Sequence, residues 1–248
     1  MIKNIGRAKI KVVVENKRIE LPEEIQTEID KHWEQAQKEN PNIWNGEITC
    51  VADCSISEQE IIITCKKSNY AHYLYDERIG LSEKYGCSNL SAGCLIETSD
   101  NYYIVGELAE NTSYPGCMQI SGGNADNSDI KNGEIEISNT IIRECKEELN
   151  IDLLDCEQVE QYEIKYVGLP TAKMHTYLVL GKGKINLDSV EMKKHYEKYL
   201  DYLKQNNLEI EFGKIHFIKK GETNEYLEAL GNPKRDYLKE LLEIDSKN

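Results

Sequence analysis

Hydrophobic and polar positions divide the chain into segments of two periods. Lys9 to Glu15 alternates and is rich in valine, which predicts a strand. Leu21 to Asn40 carries an apolar stripe of Ile25, Ile29 and Trp33 at helical spacing. Pro22, Glu23 and Glu24 suit the first turn of that helix, and Asn40-Pro41 closes it. Glu47 to Cys54 and Glu60 to Cys65 read as strands, and the aromatic-rich stretch Asn69 to Ile79 as a short helix. Tyr85-Gly86-Cys87 reads as a junction, which sets a boundary between residues 1–88 and 89–248. Beyond it, Leu90 to Glu97 and Tyr102 to Val105 predict strands around the polar turn Ser99-Asp100-Asn101. Tyr114-Pro115-Gly116 breaks the chain, and a short strand, Cys117 to Ile120, ends in Ser121-Gly122-Gly123. A polar loop from Asn124 to Gly133 leads to a helix over Glu136 to Leu149. Gln161 to Val167, Met174 to Leu180 and Ile210 to Ile218 read as strands, and Ser189 to Gln205 and Pro233 to Ile244 as helices. This order of mixed elements predicts α+β or α/β/α layering.

The helix over Glu136 to Leu149 is the segment with chemistry in it. At 100° per residue, Arg143, Glu144, Glu147 and Glu148 share an arc of roughly 140°. Ile141, Ile142, Cys145 and Leu149 fill the neighbouring arc, so one edge packs and the next gathers carboxylates. Carboxylates three and four residues apart repel, by a few tenths of a kcal/mol per pair. A hard cation with oxygen ligands, such as Mg²⁺, is the natural compensation. Arg143 stays protonated and can hold one of these carboxylates in a fixed rotamer. In a glutamate-rich chain the plain alternative is a solvated acidic face.

Charge narrows the function classes. The formal net charge is −14 over 248 residues, and the lysine pairs 66–67, 193–194 and 219–220 are scattered. No basic face for nucleic acid is present in the sequence. Val12-Val13-Val14 is too short for a signal or a membrane span, so neither membrane nor nucleic acid is an expected partner and a cytoplasmic location is expected. The eight cysteines form no CxxC pair, and read as small buried hydrophobes in a reducing compartment, with a structural zinc site as the alternative.

The run Arg143-Glu144-Cys145-Lys146-Glu147-Glu148-Leu149-Asn150-Ile151, with Gly123 upstream, resembles the box of the Nudix hydrolase family, Arg-Glu-apolar-any-Glu-Glu-any-Gly-apolar. Three features depart from the family pattern. The loop after Gly123 is long, the upstream glutamate is Glu134 or Glu136, and Asn150 stands where the family has glycine. Asn tolerates a left-handed cap, so the last swap is mild. The departures are similar to the UDP-glucose/UDP-galactose-cleaving branch, which has an expanded box loop, that Asn, a glutamate at the register of Glu136 and an N-terminal extension. Thr98-Ser99-Asp100, Tyr114-Pro115-Gly116, Lys194-His195-Tyr196 and Gly213 to Phe217 also look like that branch.

The resemblance implies an α/β/α sandwich with a smaller N-terminal α/β extension. It implies Mg²⁺, or Mn²⁺, held by Glu144, Glu147 and Glu148, with Gly123 adding a backbone carbonyl, Glu136 an outer contact and Arg143 orienting a glutamate. The implied substrate is a small-molecule nucleotide, a UDP-sugar first, ADP-ribose or another dinucleotide second. A catalytically silent nucleotide-binding module is the non-enzymatic alternative. The stretch Gly106 to Glu110 carries no base, so phosphate contacts there are missing.

Among other residues, Tyr70 and Tyr73 flank His72 and are candidates to stack on a base, with packing between the two parts of the chain as the alternative. His175 and His216 read as ordinary strand residues, and His32 and His195 as solvated. Glu209 and Glu211 read as a solvent-facing pair or as a general base from outside the box. The sequence does not specify an oligomeric state.

Overall fold

The computed structural model describes residues 1–41, 43–82, 84–112, 114–125, 129–171 and 175–247. The first part of the chain forms β1 (Ile2–Asn4), β2 (Lys9–Arg18), α1 (Glu23–Glu39), β3 (Glu47–Ile56), β4 (Glu60–Asn69) and α2 (Tyr70–Ile79). β5 (Ser88–Glu97), β6 (Tyr102–Leu108), β7 (Met118–Gln119) and β8 (Ser121–Asn124) follow. β9 (Ile130–Lys131) and β10 (Glu134–Ile135) form a hairpin before α3 (Ile137–Leu149). β11 (Val159–Gly168), β12 (Thr176–Ile185), α4 (Ser189–Gln205), β13 (Phe212–Lys219), α5 (Thr223–Leu230) and α6 (Asp236–Ser246) complete the described chain.

The strands join one mixed sheet with a path β1-β11-β12-β5-β3-β4-β2-β10-β9. β5 is its hub. It runs parallel to β12 and antiparallel to β3, β6 and β8. The sheet therefore crosses the expected boundary at residue 88, because Cys50 of β3 pairs with Asn89 of β5 and β1 pairs with β11.

Two apolar clusters sandwich the sheet. On one face Ile141, Cys145 and Leu149 of α3 and Met192 and Tyr196 of α4 pack with Ala92, Cys94 and Val179. On the other, Leu227 of α5 and Leu238, Leu241 and Leu242 of α6 pack with Leu95, Val105 and Leu180. This is the α/β/α layering expected. The alternation of β5 follows from it: successive residues serve opposite faces, so the strand is apolar on both.

Several sequence readings need correction. The loop from Asn124 to Gly133 is not wholly irregular. Ile130 and Lys131 start the hairpin whose second strand, β10, adds to β2 through Glu134↔Val13. α5 and β1 are too short to show a period. The predicted strand start Met174 lies outside the described residues. All eight cysteines are free thiols; six are buried, Cys54 is half-buried and Cys156 is exposed. No described helix is long and apolar enough to cross a membrane.

Candidate active site

The site is built where α3 lies on β8. β8 pairs with β5 in the register Ala92↔Gly123 and Gly93↔Gly122. A Cβ on Gly93 would sit 2.5 Å from the Ser121 carbonyl oxygen, and one on Gly122 2.5 Å from Gly93 Cα, so glycine is what lets these strands close. A Cβ on Gly123 would sit 2.7 Å from Glu144 Oε1. The missing side chain is thus the space that the Glu144 carboxylate occupies.

The four charged residues of the α3 arc divide into two kinds. Glu144 and Glu148 are turned inward and are 9% and 6% exposed. The Gly122 N–H donates to Glu148 Oε2 at 2.8 Å. Glu147 faces solvent. Arg143 joins the two kinds: its Nη1 lies 2.7 Å from Glu144 Oε1 and 3.3 Å from Glu147 Oε2.

Burial raises the Glu144 carboxyl to about 7, against the pull of Arg143, and Glu147 and Glu211 add to the rise. Burial also drives Glu148 well above the carboxylate range, although the Ser121 hydroxyl and Gly122 N–H favour its anion. Arg143 pairs with Glu144, and a second buried carboxylate beside it, Glu148, makes ionisation of both costly.

Asp129 is a residue that sequence reasoning missed. It is 6% exposed, accepts a hydrogen bond from Thr140 Oγ1 at 2.9 Å, and lies 3.4 Å from Arg143 Nη2. It ties the end of the expanded loop back onto α3. The only sequence signal for it was its place in that long loop.

The two candidates for the upstream glutamate are both exposed and neither joins this group. Glu134 pairs with Lys11 Nζ at 2.8 Å on the neighbouring strand. Glu136 is the N-cap residue of α3 and accepts from Ser138 Oγ at 2.7 Å. It precedes Glu144 by eight residues, about 12 Å of helix axis.

A cavity of about 650 Å³ opens beside β8. Gly122, Gly123, Asn124 and Glu211 line one part of it, and Tyr70, Tyr73 and Glu77 of α2 another. The structure therefore places Tyr70 and Tyr73 on the wall of the same cavity as Gly122 and Gly123. Their rings lie 6.0 Å apart, and the Tyr73 hydroxyl donates to Glu77 Oε1 at 2.9 Å. Glu211 is half-buried and faces the cavity, which corrects its reading as part of a solvent-facing pair; Glu209, also on the lining, is exposed. Burial and Glu209 raise the Glu211 carboxyl, and Arg235 opposes them.

Histidine placements also differ from expectation. His175 precedes β12 and lines the cavity, with Nδ1 3.3 Å from Asp76 Oδ2. His195 is not simply solvated: its Nε2 sits 3.2 Å from the Asn150 carbonyl oxygen, at the end of α3. His32 packs edge-on against Tyr75. His216 is a buried strand residue, as expected, with Nε2 2.8 Å from Glu107 Oε2. His72 is buried between Ser68 and the Tyr85 carbonyl, away from a base-stacking role.

The donor chemistry fits a hard divalent cation. The inward groups, Glu144 and Glu148, offer carboxylate oxygens, and a bound cation would favour their ionised forms. Among the described residues, no three His, Cys, Asp or Glu side chains are already gathered around one metal position.

No family model matches the chain, and no curated protein matches it. Solved structures similar to it include an Ap4A hydrolase of C. elegans, at 14% identity over 64% of this chain and 96% of that one, with a TM-score of 0.41. A NUDIX hydrolase from Nitrosomonas europaea is 16% identical over 64% of this chain and 70% of that one, with a TM-score of 0.39. The NUDIX domain of NrtR from Shewanella oneidensis, complexed with ADP ribose, is 11% identical over 71% and 96%, with a TM-score of 0.39. Likenesses at this level carry no weight for family or activity.

Proposed function

We propose that this chain is a Nudix-type hydrolase that cuts the phosphoanhydride bond of a nucleoside diphosphate linked to a second moiety, with a UDP-sugar as substrate and UMP and sugar 1-phosphate as products. The observation that carries the reading is the pair of inward carboxylates, Glu144 and Glu148, packed against Gly122 and Gly123; the two glycines line the cavity, and the carboxylates lie behind that lining. A solvated acidic face, the plain alternative for this helix, does not bury two of its three carboxylates.

Glu144, Glu147 and Glu148 would hold magnesium or manganese, with the Gly123 carbonyl as a further donor. The ion would neutralise the diphosphate and acidify a water molecule. Arg143 keeps Glu144 in one rotamer. Glu211 is suited to accept the proton of the attacking water, because its raised carboxyl is a stronger base than an ordinary glutamate. The new bond joins the water oxygen to one phosphorus, and the bridging oxygen leaves on the other phosphate. We assign residues 1–88 to the extension, whose α2 gives the cavity Tyr70 and Tyr73 as a surface for a base.

The test is to incubate the protein and Mg²⁺ with UDP-glucose, UDP-galactose, ADP-ribose and dinucleoside polyphosphates, and to identify products by mass. UMP with sugar 1-phosphate is the expected result. Cleavage of ADP-ribose or a dinucleotide alone would keep the chemistry and remove the UDP-sugar assignment. Tight nucleotide binding without product at any Mg²⁺ or Mn²⁺ concentration would make the chain a nucleotide sensor.

A further inference from the structure

The stretch from Gly106 to Glu110 carries no base, and the group best matched to a phosphoryl group is a guanidinium fork. The cavity lining takes Arg235 instead, from more than a hundred residues later in sequence. The segment carrying it is stitched to residues 116–119 at four points. Asn232 Nδ2 donates to the Gly116 carbonyl at 3.1 Å, and the Met118 N–H to the Pro233 carbonyl at 2.8 Å. The Arg235 N–H donates to the Met118 carbonyl at 3.0 Å, and Arg235 Nε to Gln119 Oε1 at 3.0 Å.

The guanidinium has one further contact. Its carbon lies 4.3 Å from the centre of the Tyr114 ring, so one planar face is covered. Tyr114 is in turn 3.4 Å from Glu77 Oε2 through its hydroxyl, which links this corner to α2. With Nε engaged by Gln119 and a face covered by Tyr114, the Nη1 and Nη2 edge is left for an acceptor. Among the described residues Arg235 has no carboxylate within ion-pair distance, and Glu211, also on the lining, feels it through space.

We infer that Arg235, fixed by Gln119 and Tyr114, is the phosphate-recognising residue of this cavity, taking two oxygens of one phosphoryl group of the substrate through its Nη edge. This deepens the proposed function and rests on its placement of the diphosphate. A fork held in advance binds a phosphoryl group in one orientation and loses little entropy in doing so. Lysine lacks both the fork and the stacked plane, so the pairing is specific to arginine.

The test is isothermal titration of the full chain, in Mg²⁺, with methylenediphosphonate, a diphosphate that cannot be hydrolysed. Arg235→Ala is expected to weaken binding by about tenfold or more, and Arg235→Lys to recover little of it. Arg18→Gln, which removes the same unit charge outside the cavity lining, is expected to bind as the unaltered chain does. Wild-type affinity in a folded Arg235→Ala or Arg235→Lys variant would overturn the inference. So would equal weakening by Arg18→Gln, or no binding to the unaltered chain. The readout needs no turnover: an inactive protein that binds the diphosphonate through Arg235 would sink the proposed hydrolysis and leave this assignment standing.

Discussion

At the scale of single residues, the inward and outward glutamates of α3 predict different things. Glu148 is buried with its carboxyl driven up, so Glu148→Gln removes an ionisable group whose charge burial disfavours, and the new amide oxygen can accept the Gly122 N–H bond that Oε2 now accepts. Turnover is expected to fall by about a thousandfold with no loss of thermal stability. Glu147 is exposed, and Glu147→Gln is expected to cut turnover as strongly and shift Tm by less than about 2 °C. Gly123→Ala sets a methyl 2.7 Å from Glu144 Oε1 and must displace that carboxylate. Its kcat is expected to drop by about a hundredfold, on the scale of a misplaced catalytic group. Steady-state kinetics and thermal melts of the three variants check these outcomes. The glutamates were legible from helical spacing alone, since the spacing fixes which side chains share an arc. Their division into inward and outward was not, because it depends on where β8 lies.

At the scale of elements, α3 ends as its sequence suggests. Asn150 adopts φ 54° and ψ 38°, the left-handed cap conformation, with its N–H turned back to the last turn. Asn150→Gly is expected to be neutral or slightly stabilising, and Asn150→Val to cost about 1–2 kcal/mol by chemical denaturation. The strands and helices with a clear period were found within a few residues, as for α4, whose cap at Asp188 and Glu191 completes a capping box. What the sequence hid has a common cause. β9, β10 and Asp129 gain their structure from partners outside their own segment, Val12 and Val13 far upstream for the hairpin, and Thr140 and Arg143 on the next helix for the aspartate. Arg235 was invisible for the same reason, since its anchors are Met118 and Gln119.

At the scale of the whole molecule, α6 is locked to the sheet by a buried charge. Asp245, 1% exposed, accepts hydrogen bonds from Tyr103 at 2.8 Å, from Tyr166 at 2.5 Å and from Lys182 at 2.8 Å. Burial alone would raise its carboxyl, but Lys182 and the two hydroxyls override this and hold it well below the usual range. A carboxyl depressed in the folded state adds stability above its unfolded value, near pH 4, and that stability is lost as pH falls toward the folded value. Asp245→Asn leaves Lys182 with Glu97 as its partner and is expected to cost about 3 kcal/mol at pH 7. The variant should also lose less stability than the unaltered chain between pH 5 and pH 3, as thermal melts at the two values would show. The α/β/α layers followed from element order, whereas the continuity of the sheet through β3 and β5 did not, because strand pairing leaves no local mark in sequence.

The central claim is that the buried carboxylates of α3 support metal-dependent cleavage of a nucleotide phosphoanhydride. Its most direct test is the rate of nucleoside monophosphate release from the best substrate of the panel, with Mg²⁺ and with chelator, for the unaltered chain and Glu148→Gln side by side. The account predicts release by the unaltered chain in Mg²⁺ only, and near-complete loss in the variant while it remains folded. Equal release by both proteins, or release undiminished by chelator, would contradict it.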